Sequence, residues 1–136
     1  MAGLHFRIAQ AFRSPAEQMA LWIKGRDIAG QIIHPREVVT MARPGRSWHE
    51  YGLAYDVVLV APNGIVSWDI AMDGDLDGIR DWQEVGVAGE KVGLEWGGRW
   101  IKFRDMPHFQ LTRGLTYEVA ATMVAGGRKI PGDYFA

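Results

Sequence analysis

Hydrophobic and polar positions alternate along this chain in short blocks, each with its own period. From Leu4 to Phe12 the alternation is loose, with Leu4, Phe6 and Ile8 on one side and His5 and Arg7 on the other, which predicts a strand. Ser14-Pro15-Ala16-Glu17 then carries three helix-start signals: an N-cap serine, a proline suited to the first helical position, and a glutamate completing a capping box. Ala16, Met19, Ala20 and Ile23 recur at helical spacing until Gly25, a stop signal. Residues 26–46 hold Gly30, Pro35, Pro44 and Gly45 with little periodicity, so a loop with at most one helical turn is expected. Leu53 to Val60, rich in β-branched residues, predicts a buried strand, and Pro62-Asn63-Gly64 turns it into a second strand, Ile65 to Trp68.

An acidic loop follows over 71–81, then a helix from Trp82 to Val92 capped by Asp81, although Gly86 and Gly89 weaken it. Trp96 to Trp100 reads as a turn and Pro107 to Thr112 as a short strand. Thr116 caps a last helix through Ala125, ended by Gly126-Gly127. Strands that do not alternate regularly with helices predict an α+β fold, a small antiparallel sheet with flanking helices.

The length of 136 residues predicts one domain over 1–136, and 48% hydrophobic residues suffice for a core. A formal net charge of −1 gives no basic surface for nucleic acid or an anionic membrane. No apolar run approaches the roughly 18 residues of a membrane span. Met1-Ala2-Gly3-Leu4-His5 shows no basic start followed by an apolar stretch, so no signal peptide is expected. With no cysteine, a disulfide scaffold and a thiolate zinc site are both excluded, and any metal must use His, Asp or Glu. Of six tryptophans, Trp22, Trp82 and Trp96 are expected in the core; Trp48 and Trp100 either line a groove or pack.

Two segments concentrate the chemistry. Ser47-Trp48-His49-Glu50-Tyr51-Gly52-Leu53-Ala54-Tyr55-Asp56 places a histidine and an aspartate seven residues apart. Asp105-Met106-Pro107-His108-Phe109 adds a second histidine, with a carboxylate three residues before it. Two imidazoles, one carboxylate ligand and one spare carboxylate are the parts of a hydrolytic zinc site. The plainer alternative is that Asp56, in a buried strand, bonds to backbone or to an arginine. His5 and His34 read as ordinary core or loop residues. His49-Glu50 does not start an H-E-x-x-H helix, because residue 53 is Leu, so Glu50 has no motif-based claim to be the base. Glu95 is a rival base.

Asp73-x-Asp75-x-Asp77-Gly78, then five residues, then Glu84, fits the calcium loop of an EF-hand. Its flanks disagree: Val66 to Ile70 does not read as an incoming helix, and Arg80 stands where an aliphatic residue is usual. The alternative is a solvated acidic loop.

Taken together, Ser47-x-His49-x-x-Gly52-x-Ala54-x-Asp56 and Asp105-x-x-His108 resemble the zinc peptidases that cut peptidoglycan stem peptides. This is the D-alanyl-D-alanine carboxypeptidase and L-alanyl-D-glutamate endopeptidase family, which shares a core with the hedgehog signalling domain. Phe12-Arg13-Ser14-x-x-Glu17-Gln18 is similar to the family's arginine–glutamine element. Gly93-Leu94-Glu95-Trp96-Gly97-Gly98-x-Trp100, followed by Asp105-x-Pro107-His108-Phe109, is similar to the endopeptidase branch of phage endolysins and wall hydrolases. The resemblance covers roughly residues 6 to 112.

The resemblance implies one zinc ion held by His49, Asp56 and His108, with Asp105 as catalytic carboxylate and Arg13 contacting substrate or oxyanion. Ser47, Gln18 and Trp48 would support or bind substrate. It implies a monomer acting on the stem peptide. Without a signal peptide, the enzyme would be made in the cytoplasm and reach the wall after release, as a phage or prophage endolysin does. Relatives usually carry a helix before the first strand, and this chain begins almost at that strand. Competing readings are a D-alanyl-D-alanine carboxypeptidase, a non-catalytic zinc-stabilised wall-binding module, and an Fe(II) oxygenase, since two His and one carboxylate also suit iron.

Overall fold

The computed structural model describes residues 3–127; Met1 and Ala2, part of the segment read for a signal peptide, lie outside them. Two compact units are present, one from residues 3–11 and 54–111, the other from residues 12–53 and 112–127. Among the described residues no helix is long and apolar enough to cross a membrane.

The first unit is an antiparallel sheet with one helix. Its strands are β1 (Phe6–Gln10), β2 (Ala54–Val60), β3 (Val66–Ser67), β4 (Glu95–Trp96) and β5 (His108–Gln110). They lie in the order β1-β2-β5-β4, with β3 paired to β2. The Pro62-Asn63-Gly64 hairpin forms as expected: the Ala61 amide donates to the Ile65 carbonyl at 2.9 Å, and Asn63 Oδ1 accepts from the Ile65 amide at 3.0 Å.

Alternation divides the sheet into two faces. On one, Val57 and Leu59 of β2, Trp96 of β4 and Phe109 of β5 join Trp82 and Val85 in a single buried cluster. The last two come from the helix Asp81–Lys91, here called α2 after the helix Pro15–Trp22 (α1) of the other unit. The expected weakness of Gly86 and Gly89 has a packing reason. A Cβ at Gly86 would overlap the Trp96 ring, and one at Gly89 would reach the Phe109 ring at 2.5 Å. Loss of helix propensity is thus the condition for bringing α2 close to the sheet. Asp81 is not the N-cap, which is Arg80; Asp81 is the first helical residue, and its carboxylate accepts from the Gly74 amide at 3.0 Å.

Phe6 and Ile8 pair with Leu59 and Val57 and so share the core-facing side. They remain 47% and 63% exposed, because α2 packs over β4 and β5 at the other end of the sheet. Only Leu4 of the predicted apolar side packs against the cluster.

In the second unit, α1 begins as predicted: Ser14 accepts from the Glu17 amide and Glu17 from the Ser14 amide, both at 3.1 Å. Its apolar stripe is not its buried face. Met19 and Ile23 are about half exposed, and the buried residue of the helix is Gln18. Gln18 Nε2 donates to the Ala42 carbonyl at 2.8 Å, and the buried Arg26 donates to the Trp22 and Thr40 carbonyls. Polar side chains thereby hold the 26–46 loop, whose one helical turn is Pro35–Glu37. Trp22 is not a core residue but lies under the Arg26 guanidinium, 3.5 Å from the ring centre. A 3-10 turn, Trp48–Tyr51, and a helix α3, Tyr117–Ala125, complete the unit. Thr116 caps α3 as expected, accepting from the Val119 amide at 3.2 Å.

Candidate metal and catalytic site

The face of the sheet opposite the apolar cluster carries the chemistry. β2 and β5 pair in a register that sets Asp56 opposite His108 and Ala54 opposite Gln110, while Tyr55 and Phe109 stack on the core side. Asp56 Oδ1 lies 3.3 Å from His108 Nδ1. The other ring nitrogen, Nε2, is 2.8 Å from Gln110 Oε1. Burial alone would pull the His108 imidazole down. Hydrogen bonds to Asp56 and Gln110, with the nearby carboxylates of Asp56 and Asp105, outweigh it and hold the pKa above the usual histidine value.

Asp105 sits on the turn before β5. Its amide donates to the Gly97 carbonyl at 3.0 Å, and its carbonyl accepts from the His108 amide at 3.2 Å. Gly97 makes this approach possible, since a Cβ there would stand 2.5 Å from the Asp105 carbonyl oxygen. The Trp96 indole donates to the Met106 carbonyl at 2.8 Å, tying the turn to the core. Fold and site therefore share one strand pair, β4–β5.

In the helical unit, His49 is 3% exposed on the turn Trp48–Tyr51. The turn is fixed at both ends. Ser47 and Glu50 form a capping box, and the buried Glu50 carboxylate also accepts from the Gly45 amide at 2.9 Å. Gly52 ends the turn in the left-handed region, φ 69°. The His49 carbonyl accepts from the Arg13 amide at 3.0 Å, and Arg13 Nη1 donates to Gln18 Oε1 at 2.7 Å. Arg13 is thus a buried side chain braced by a buried amide. Trp48, expected among the substrate-binding residues, is 8% exposed and stacks on Tyr117 with ring centres 4.5 Å apart.

Three residues were missed or given another part in the sequence. Glu50, without a claim as base, is the cap of the His49 turn; the Ser47-x-x-Glu50 spacing carries that signal. Gln110 bonds His108, and its two-residue spacing on a strand was the available clue. Glu95, the rival base, bonds Gln110 and Trp100.

The acidic loop is not an EF-hand. Asp75, Asp77 and Glu84 gather closely, and burial together with the neighbouring aspartates pushes the Glu84 carboxyl up. No helix enters, however: β3 and a turn at residues 70–71 precede the loop. Its carboxylates cap its own backbone, Asp73 accepting from Asp77 and Gly78 and Asp77 from Ile79. Calcium at Asp73, Asp75, Asp77 and Glu84 is not supported.

Comparison with known proteins identifies the family. Residues 40–111, more than half of the chain, match the protein family described as D-alanyl-D-alanine carboxypeptidase. Over 109 residues the chain is 41% identical to the peptidoglycan L-alanyl-D-glutamate endopeptidase CwlK of Bacillus subtilis (strain 168), an alignment covering 80% of this chain and 62% of that protein. The chain thus spans less than two thirds of the length of this relative. Among solved structures it is similar to the Serratia marcescens L-Ala D-Glu endopeptidase ChiX, with a TM-score of 0.51 and 30% identity over 81% of this chain and 69% of that one. The chain belongs to the D-alanyl-D-alanine carboxypeptidase family of peptidases.

Proposed function

We propose that this chain is a zinc-dependent peptidase that hydrolyses the L-alanyl-D-glutamate bond of peptidoglycan stem peptides. The observation that carries the reading is the Asp56–His108 pair, with Asp105 on the turn three residues before His108. His49, buried on its own turn in the other unit, is the second imidazole that the Ser47–Asp56 motif offers. Two imidazoles and a carboxylate fit the donor set of a hydrolytic zinc site, which keeps a further position open.

Zinc held there would supply a Lewis acid that polarises the scissile carbonyl and makes water acidic near neutral pH. The remaining steps fall to the chain's own residues. Asp105 takes the proton of the attacking water and returns it to the departing D-glutamyl amine. Arg13 donates to the carbonyl oxygen as it turns anionic. Gln18 holds the Arg13 guanidinium, and the Ser47–Glu50 capping box holds His49.

Both named relatives are L-alanyl-D-glutamate endopeptidases, which favours that bond over a terminal D-alanine. Digestion of purified peptidoglycan with added zinc, and again with chelator, tests this. Zinc-dependent appearance of N-terminal D-glutamate is expected. Release of D-alanine would instead assign carboxypeptidase activity.

A further inference from the structure

On β5, His108 and Gln110 stand two residues apart and therefore face the same side of the sheet. Across the β4–β5 pair, Gln110 is opposite Glu95. The three side chains form a continuous line. His108 Nε2 lies 2.8 Å from Gln110 Oε1, and Gln110 Nε2 donates to Glu95 Oε2 at 3.0 Å. The other Glu95 oxygen, Oε1, accepts from the Trp100 indole at 3.1 Å. The Trp100 ring in turn lies 5.2 Å from the His108 ring, tilted by 44°.

This line has a direction. An ionised carboxylate only accepts, and an indole N–H only donates. Glu95 therefore draws the NH2 group of Gln110 toward itself, which leaves the Gln110 carbonyl oxygen toward His108. An amide oxygen only accepts, so Nε2 of His108 must carry the hydrogen. In the neutral ring, the form that binds a metal, the lone pair is then on Nδ1, the nitrogen that faces Asp56 and donates to it when the ring is protonated. A histidine ligand needs such a partner for its second nitrogen, which fixes both tautomer and ring orientation.

We propose that Glu95, Gln110 and Trp100 are positioning residues that lock His108 as the Nε2–H tautomer and present Nδ1 to the metal. Glu95 gives the line its polarity, Gln110 transmits it, and Trp100 anchors Glu95 while packing beside the His108 ring. The proposal rests on the zinc reading above, and adds to it a set of residues that act on the metal through His108. It also explains why Glu95 is not the base: both of its oxygens hold the line in place.

The test is NMR of uniformly 15N-labelled full chain loaded with zinc, reading the two imidazole nitrogens of His108, together with zinc affinity by chelator competition. Wild type should show metal-bound Nδ1 and protonated Nε2. Glu95→Leu and Gln110→Leu should each lose about 10–100-fold in zinc affinity. Glu95→Gln keeps an acceptor but can also donate, so it should recover part of the affinity while showing a mixture of His108 tautomers. Thermal melts with chelator separate this from unfolding, and the wild-type spectrum tests the proposal without any variant. Zinc bound through Nε2 of His108, or undiminished affinity in a folded Glu95→Leu, would overturn the relay and leave the zinc reading intact. No zinc-induced shift at either His49 or His108 would overturn both.

Discussion

Asp56 Oδ1 and His108 Nδ1 lie 3.3 Å apart as a directly opposed pair between two antiparallel strands. Their proximity raises the His108 pKa in spite of burial, and the direction decides how the metal-free protein responds to pH. A proton bound more tightly in the folded state stabilises that state below the unfolded value of about 6.5. The stabilisation disappears as pH rises through the folded pKa. Melts of chelated protein should therefore show a Tm falling above about pH 6.5, with a flatter profile for His108→Gln. Zinc competes with the same proton, so its affinity should increase across that window. A wild-type profile no steeper than that of His108→Gln would remove the basis for this prediction.

Asp105→Asn keeps the size of the side chain and leaves the backbone bond to Gly97 in place. Zinc stoichiometry should stay at wild type while turnover on peptidoglycan falls by about 10²–10⁴-fold. Turnover within tenfold of wild type, with metal bound, would remove Asp105 from its role.

Glu50→Ala leaves the amides of Gly45 and Ser47 without their buried acceptor. A cost of about 1–3 kcal/mol is expected, read as a lower Tm. Because the same turn carries His49, zinc affinity should drop as well. Denaturant unfolding and chelator competition on one sample check both, and unchanged affinity would separate the cap from the site.

Gly86→Ala ought to strengthen a helix by roughly 1 kcal/mol on propensity alone. Here the new methyl overlaps the Trp96 ring, so a net loss of about 1–3 kcal/mol is expected from overpacking. Greater stability on urea unfolding would contradict the packing of α2 on β4.

Local signals were legible in the chain where their cause is local. Ser14-Pro15-x-Glu17, Pro62-Asn63-Gly64 and Thr116 each specify a cap or turn through neighbouring atoms, and each does so in the structure. The candidate ligands were readable from motif spacing. Register was not: Asp56 meets His108 only because β2 and β5 align without a one-residue slip, and nothing local fixes that alignment. The face of α1 was misread for a related reason. Periodicity finds its apolar stripe, but Gln18 is buried because Arg13 and the Ala42 carbonyl, both outside the helix, satisfy its amide. Glu95 read as a rival base because its partners, Gln110 and Trp100, are joined to it only by strand pairing and the following turn.

The most direct test is mass spectrometry of a defined disaccharide-tetrapeptide digested by the wild-type chain with zinc, with chelator, and by Asp105→Asn with zinc. The account predicts a fragment beginning at D-glutamate in the first digest and none in the other two. Loss of only the terminal D-alanine, or a D-glutamate fragment that persists in chelator, would contradict it.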